Sequence, residues 1–167
     1  MKVLVVSDSH GRNDLVRKAI SQEAPIDMLI HAGDVEGDLE KVLGPGRDYS
    51  IRAVSGNMDW GFGLEAALSF DMGPHKVFLT HGHHYGVSYT MANLREAAEK
   101  AGADVEIFGH THMPFMEEQN DILLLNPGSV SKPRQAGLKK TYAVIQINDQ
   151  TGAMKVRFKS LKGTGWL

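Results

Sequence analysis

The segment GHTH at positions 109–112 holds two histidines, His110 and His112, with one residue between them. On an extended strand, residues two apart share a face, whereas on a helix they do not. We therefore expect this pair to lie on a strand. Two imidazoles placed in this way can bind one metal ion or two neighbouring ions, and the rest of the chain must decide between these alternatives.

Further side chains that can bind metals follow other apolar segments of the chain. They are Asp8 and His10 in SDSHG, Asp34 in AGD, Asn57 in SGNMD and His81 in THGHH. In open α/β sheets, binding sites form at the carboxyl ends of the strands. If the apolar segments are strands, each of these side chains lies at such an end. The sequence therefore predicts that they converge on one site with the GHTH pair.

This set of side chains has the chemistry of a two-metal site. Two carboxylates, one amide oxygen and four imidazoles suit divalent ions such as manganese, iron, nickel or zinc. Seven ligands are too many for one tetrahedral ion and suit two ions that share a bridging carboxylate. Such a cage keeps a net positive charge, which attracts phosphate oxygens. Two ions can also lower the pKa of a bound water toward neutrality and favour an in-line displacement.

The first third of the chain has the pattern of an α/β protein. Valine-rich or apolar runs predict buried strands, and amphipathic segments predict helices between them. The predicted strands are 2–7, 28–34 and 50–57, and the predicted helices are 13–22 and 36–43. A β-α-β order of this kind predicts parallel strands joined by right-handed crossovers.

The remainder of the chain predicts a different arrangement, with antiparallel strands at the end. Segments 66–72 and 75–82 predict a hairpin, and 90–102 predicts a helix. Further strands are predicted at 104–112, 121–128, 141–148 and 154–161. The last two strands alternate in polarity and are expected to pair across NDQTG. Two sheets packed face to face, with helices outside, accommodate this order.

Length and composition limit the class of protein. The 167 residues predict a single domain, 1–167, with a sizeable core. The absence of cysteine excludes disulfides and thiolate metal sites. The net charge of -2 makes nucleic acid an unexpected partner. The first apolar run is too short for a signal peptide and no segment approaches a membrane span, so we expect a cytoplasmic protein without a membrane partner.

The ordered motifs DSH, GD, GNMD, HGH and GHTH resemble those of the calcineurin-like metallophosphoesterase superfamily, in particular its small YfcE-type phosphodiesterase branch. The resemblance extends from the first strand to NPGS at 126–129. It implies an α/β (α+β) fold, a four-layer α-β-β-α sandwich of two mixed sheets flanked by helices. It also implies two divalent ions, with manganese favoured over iron, nickel or zinc. One ion would be bound by Asp8, His10 and His112, the other by Asn57, His81 and His110, and Asp34 would bridge them.

Position 58 departs from the pattern of this family. Many relatives have GNH followed by an acidic residue, and that histidine is thought to stabilise or protonate the leaving group. Here the position is Met58, and of the acidic pair only Asp59 remains. Because a thioether cannot donate a proton, we predict that catalysis depends on the metals and favours good leaving groups. Asp59 and His83 are the candidate catalytic residues, with His83 as a substitute acid.

Other residues have ordinary explanations beside functional ones. His31 lies within a predicted strand and either supports Asp34 or packs in the core. Asn126, in the NPG segment, is expected to form a turn rather than to take part in chemistry. Trp60 and Phe62 could line the substrate pocket or form an oligomer contact, but ordinary packing is the favoured explanation.

The favoured function is a dinuclear metal-dependent phosphodiesterase, which hydrolyses a small phosphorylated substrate by in-line attack of a metal-bridging hydroxide. A phosphomonoesterase or nucleotide hydrolase is an alternative within the same chemistry. A protein-binding scaffold of the same fold, as in the retromer subunit Vps29, is an alternative from another class, although seven intact ligands argue against it. A nuclease is disfavoured by the slightly acidic charge. Relatives in this family are often dimers or larger, so a homo-oligomer is also expected.

Overall fold

The computed structural model of the protein describes residues 1–162, which form ten strands, three α-helices and a short 3-10 helix at His83–Tyr85. In chain order the elements are β1 (Lys2–Val6), α1 (Asn13–Glu23), β2 (Met28–His31), α2 (Leu39–Leu43), β3 (Ser50–Ala53), β4 (Ala67–Met72), β5 (His75–Thr80), α3 (Ala92–Lys100), β6 (Val105–Ile107), β7 (Pro114–Gln119), β8 (Ile122–Pro127), β9 (Thr141–Ile147) and β10 (Met154–Ser160). Within residues 1–162, no helix is both long and apolar enough to cross a membrane.

The first sheet contains strands from both ends of the chain, in the order β10-β9-β1-β2-β3. β1, β2 and β3 are parallel, as their β-α-β order predicts. β9 runs antiparallel to β1, and β10 runs antiparallel to β9, which confirms the predicted pairing of the last two strands. The central strand β1 is buried on both faces, which explains its uninterrupted apolar run.

The second sheet has the order β4-β5-β6-β8-β7. The predicted hairpin of β4 and β5 is confirmed, and β5, β6 and β8 are parallel. The edge strand β7 was absent from the sequence prediction. It pairs with β8 across a tight turn in which Asn120 and Asp121 have φ of 53° and 62°. Two consecutive left-handed residues are typical of a two-residue hairpin turn. The Asn-Asp dipeptide was the feature of the sequence that could have indicated this hairpin.

Alternating side chains of the strands build the layers of the molecule. On β1, Val3 and Val5 pack into the core between the two sheets, whereas Leu4 and Val6 pack against α1. On the outer face of the second sheet, Leu94 of α3 packs in a separate apolar cluster with side chains of β5 and β8. The result is a four-layer α-β-β-α sandwich of two mixed sheets, which confirms the predicted fold.

Several strands end earlier than predicted, and the shortened ends are where the candidate ligands lie. β2 ends at His31, β3 at Ala53 and β6 at Ile107. The GHTH pair therefore lies on a loop, and the expectation that it occupies a strand is wrong. His110 and His112 have φ of 67° and 60°, which no strand residue adopts. A loop turns both imidazoles toward the site without requiring the shared face of a strand.

Candidate metal centre

All seven predicted metal ligands lie in loops that directly follow strands. These loops come after β1, β2, β3, β5 and β6. Five of the seven ligands also have a left-handed backbone, with φ between 46° and 67°: Asp8, His10, Asp34, His110 and His112. Non-glycine residues rarely adopt this conformation. Strained positions of this kind gather at binding and catalytic sites, where the surrounding structure holds them in place.

Four of these side chains form a compact group of metal-binding atoms. One ligand atom from each of Asp8, His10, Asp34 and His112 lies within 4.8 Å of the others. Asp8 Oδ1 is 3.1 Å from His112 Nε2, and His10 Nε2 is 3.3 Å from His112 Nε2. The group combines two carboxylates with two imidazoles and is almost entirely buried.

The other three side chains lie next to this group. Asn57 Oδ1 is 3.0 Å from His110 Nδ1, and the ring centroids of His110 and His81 are 5.2 Å apart. Asp34 lies between the two sets of ligands. Its Oδ2 atom is 3.3 Å from His81 Nε2 and 3.8 Å from His10 Nε2. The fold thus brings all seven predicted side chains together, with the carboxylate of Asp34 at the position expected of a bridge.

Hydrogen bonds at Nδ1 orient three of the imidazoles. The Nδ1 atom of His81 is 2.7 Å from Ala32 O, and that of His112 is 2.6 Å from Lys132 O. Since a carbonyl oxygen only accepts, Nδ1 must carry a proton in both rings, and in the neutral form of each ring the lone pair is on Nε2. His10 Nδ1 contacts a carboxylate oxygen of Glu36 at 2.5 Å with the same consequence. This arrangement of an outer acceptor is typical of histidines that bind metals.

Two buried polar atoms at the centre of the site make no hydrogen bond with the described residues. They are Asp8 Oδ1 and His81 Nε2. Burying a carboxylate oxygen without a partner is costly, so such atoms require an explanation. A divalent cation would supply the missing partner for both. The residues present therefore fit one or two divalent ions that prefer nitrogen and oxygen donors.

The histidines of the site keep its two buried carboxylates ionised. Burial by itself would raise the pKa of Asp8, but the close contact with His112 and the charge of His81 outweigh burial and lower it. Asp34 is also buried, yet its contacts with His81 and the Met58 amide lower its pKa to about 2. Both carboxylates are consequently ionised at neutral pH. An anionic pair surrounded by imidazoles is a cation site by its charge as well as its geometry.

The carboxylate and carbonyl of Asp8 are held by residues that sequence reasoning did not single out. Ser7 Oγ donates to Asp8 Oδ2 at 2.6 Å. The hydroxyls of Ser129 and Ser131 both donate to the carbonyl of Asp8 at 2.8 Å. The side-chain amide of Asn126 donates to Gly109 O at 2.7 Å and so secures the GHTH loop. Asn126, expected to form a turn, therefore also positions the site. The hydroxyl and amide side chains of the SDS and NPGS segments were the feature of the sequence that could have indicated these contacts.

Asp59, predicted to be catalytic, uses its carboxylate to hold the backbone. Its Oδ2 atom accepts the N–H groups of Val35 and Gly56, and its Oδ1 atom accepts the N–H of Glu36. These three bonds join the loop after β2 to the loop after β3. This geometry favours a positioning role for Asp59 over the catalytic role that we predicted.

His83, the other predicted catalytic residue, lies close to the site. Its ring centroid is 5.4 Å from that of His81 and 6.1 Å from that of His110. Burial, together with the charges of neighbouring histidines, lowers the pKa of His83 to about 4. A neutral imidazole at pH 7 is a poor proton donor, so this lowered pKa disfavours the predicted role of substitute acid.

Two other expectations concern residues around the site. His31 contacts Ser9 Oγ at 3.0 Å, so it supports the loop between Asp8 and His10 rather than Asp34. The expectation of ordinary packing is wrong for Trp60, whose side chain is 82% exposed.

Such a fold and such a buried Asp/His cluster are typical of metal-dependent phosphoesterases. Residues 1–150 match the family model of the calcineurin-like phosphoesterase superfamily domain, and the chain belongs to this family, as the sequence motifs predict. It is similar to the probable metallophosphoesterase YsnB of Bacillus subtilis, with 37% identity over 98% of this chain and 93% of that protein.

Two further comparisons agree with this family. The phosphodiesterase YfcE of Escherichia coli is 38% identical, over 90% of this chain and 95% of that protein. The crystal structure of a predicted phosphoesterase from Streptococcus pneumoniae superposes with a TM-score of 0.83 and 33% identity, over 95% of this chain and 88% of that one.

Proposed function

We propose that this protein is a dinuclear metal-dependent phosphodiesterase that acts on small phosphorylated substrates. The observation that carries the proposal is the position of Asp34, whose Oδ2 lies within 4 Å of an imidazole nitrogen from each set of ligands. A carboxylate at that place can bind two ions at once. The similarity to a protein named as a phosphodiesterase supports a diester as the substrate.

Each ligand has a role in this proposal that follows from its contacts. One ion would be held by the buried group of Asp8, His10 and His112, and the other by Asn57, His81 and His110. When bound, two divalent ions would provide a hydroxide from water for in-line attack on phosphorus and would neutralise charge on the phosphate oxygens. Manganese is the favoured metal, and iron, nickel or zinc also suit these donors.

The protein side chains near the leaving group limit the range of substrates. Met58 donates its backbone N–H to Asp34 Oδ1 at 2.8 Å, which orients the bridging carboxylate. Its side chain is 47% exposed and cannot donate a proton. Because the low pKa of His83 keeps that ring neutral, departure of the alkoxide receives little help from a protein acid. The preferred substrates should therefore have leaving groups of low pKa.

Metal-dependent hydrolysis of a chromogenic diester tests the proposal. Protein stripped with a chelator should be inactive toward bis(4-nitrophenyl) phosphate, and added Mn²⁺ should restore activity. Asp34→Asn should lose at least about 100-fold in kcat/KM, since a displaced catalytic geometry alone has that effect. The matched control Asp71→Asn changes an exposed carboxylate on β4 and should retain wild-type activity.

Two outcomes would redirect the proposal. A higher kcat/KM for 4-nitrophenyl phosphate than for the diester would indicate a phosphomonoesterase. Absence of hydrolysis with every divalent ion tried, in protein that nevertheless folds, would favour the protein-binding scaffold.

A further inference from the structure

Glu36 contacts the metal centre from outside the set of predicted ligands. It lies in the loop after β2, two residues beyond Asp34, and its side chain is 33% exposed. Its Oε1 atom is 2.5 Å from Nδ1 of His10, whose own side chain is only 7% exposed. The Glu36 carboxylate therefore contacts the buried imidazole at Nδ1, whereas Nε2 of the same ring faces the other ligands.

The backbone around Glu36 is held in a conformation that it would not adopt by itself. Glu36 has a φ of 51°, in the left-handed region that disfavours residues with a Cβ. Its N–H donates to Asp59 Oδ1 at 2.7 Å, and the neighbouring N–H of Val35 donates to Asp59 Oδ2 at 3.2 Å. The surroundings thus force the Glu36 carboxylate toward His10, and we interpret this strain as serving the site.

The same loop is also bonded directly to the segment that carries His10. The N–H of His10 donates to the carbonyl of Asp34 at 2.9 Å, and the N–H of Gly11 donates to the carbonyl of Val35 at 3.0 Å. Backbone bonds therefore fix the distance between the two loops. The position of the Glu36 side chain relative to the His10 ring is set by the fold and does not depend on the side-chain contact alone.

His10 differs from the other oriented imidazoles in the kind of acceptor that holds it. His81 and His112 are held by the carbonyls of Ala32 and Lys132, which every residue type provides. His10 is held by a side chain, so its orientation depends on residue identity at position 36. An ionised acceptor also makes the imidazole a stronger donor to a cation than a carbonyl does.

We propose that Glu36 is a positioning residue for the metal ligand His10. By accepting the Nδ1 proton it selects the tautomer that leaves Nε2 free, and its negative charge strengthens the bond from Nε2 to the ion. The inference rests on the proposed metal-dependent function and adds to it a residue that controls the affinity of one ion. Asp59 acts in the same network, because it holds the backbone that carries Glu36.

Metal affinity of the full chain, measured by isothermal titration with Mn²⁺, tests this role directly. Glu36→Ala removes the acceptor and should weaken binding of one ion by about 10–100-fold, the usual effect of losing such a partner. Glu36→Asp keeps the charge but is one methylene shorter, and should weaken binding to a similar degree. Glu36→Gln retains an oxygen that accepts from Nδ1 and should recover part of the lost affinity.

A second readout reports on the ring itself and needs no metal. Nitrogen-15 NMR of the histidine side chains distinguishes the two neutral tautomers. His10 should be in the Nδ1–H form in the wild type and in the Glu36→Gln variant, and should lose this preference in Glu36→Ala. Glu118→Gln, which removes the same charge from an exposed position on β7, is the control and should match the wild type in both measurements.

The outcomes separate this inference from the proposed function. If the wild type binds Mn²⁺ and Glu36→Ala binds it equally well, the role of Glu36 is refuted while the two-metal proposal stands. If Glu36→Ala does not fold, as judged by circular dichroism, the same criterion applies to Glu36→Asp. A Glu36→Gln variant that binds no better than Glu36→Ala would refute the hydrogen-bonding mechanism. If the wild type binds no divalent ion, both proposals are wrong.

Discussion

Replacing Gly56 by alanine should displace the carboxylate that lies between the two sets of ligands. A Cβ added at Gly56 would be 2.1 Å from Asp34 Oδ1, 2.4 Å from Asp34 N and 2.7 Å from Asp34 Cγ. The first contact is about 1.3 Å shorter than the 3.4 Å at which ordinary van der Waals contact begins. The second involves a backbone atom, so rotation of the Asp34 side chain cannot relieve the overlap.

The size of the effect follows from this overlap. Either the loop after β3 or Asp34 itself must move by about 1 Å, and a misplacement of that size reduces catalysis by about 100-fold. Overpacking a well-packed region also costs about 1–3 kcal/mol of stability. In a chain of this length each kcal/mol lowers Tm by roughly 2–4 °C. We therefore expect a folded protein with a moderately lower Tm and a large loss of activity.

Mn²⁺-dependent hydrolysis of bis(4-nitrophenyl) phosphate, together with thermal unfolding, measures both effects. Gly46→Ala is the matched control, because a Cβ there meets nothing within 4 Å, although its φ of 78° makes alanine unfavourable. That variant should lose about 1 kcal/mol of stability and keep its activity. Wild-type kcat/KM in Gly56→Ala would refute the reasoning, because Asp34 would then tolerate displacement.

Three further predictions concern the leaving group and two buried carboxylates. Rates for a series of aryl phosphodiesters should fall steeply as the leaving-group pKa rises, because Met58 cannot protonate the departing oxygen. Burial raises the pKa of Glu106, so its charge opposes folding at neutral pH. Glu106→Gln should raise Tm at pH 7, and this gain should disappear below pH 4.5, where the carboxyl is protonated in the folded and the unfolded chain. Burial would also raise the pKa of Glu23, but hydrogen bonds from Lys159 and Tyr142 outweigh it and lower the pKa. The stability that Glu23 contributes is therefore complete above pH 4.5 and is lost as the pH falls further, and Glu23→Gln should flatten the acid side of the Tm–pH curve.

Each of these expectations can fail independently. Rates that do not depend on the leaving-group pKa would show that the protein supplies a proton donor. A Glu106→Gln variant with the same Tm as the wild type at pH 7 would show that the buried carboxylate finds compensation in the native state. If the Tm of Glu23→Gln falls as steeply with decreasing pH as the Tm of the wild type, carboxylates other than Glu23 cause the acid unfolding.

The architecture was largely predictable from local patterns. The uninterrupted apolar run of β1 indicated a strand buried on both faces, and it is central in its sheet. The β7 strand was missed because it is an exposed edge with a weak apolar pattern and begins at a proline. Strand ends were also predicted too far along the chain. The residues after β2 and β6 leave the extended conformation for left-handed turns, and apolar periodicity carries no information about that change.

The roles of individual carboxylates could not be predicted from their residue type and position in the chain. The family pattern of GNH followed by an acidic residue suggested chemistry at Asp59, but both of its carboxylate oxygens are bonded to backbone N–H groups. Conversely, nothing in the GDVEGD segment distinguished Glu36 from an ordinary surface acid. A carboxylate can bind a metal, hold a loop or orient a histidine, and only its neighbours in space decide among these roles.

By itself, the sequence determined which donor atoms this protein can offer a metal: nitrogen and oxygen without thiolates, placed in order after five of its strands. The tertiary structure decided which atoms face one another. Asp34 lies between two groups of imidazoles because two loops are joined through Asp59. His81 and His112 present Nε2 because carbonyls 49 and 20 residues away accept from Nδ1. These partners are distant in sequence, so only the folded chain brings them within hydrogen-bonding distance.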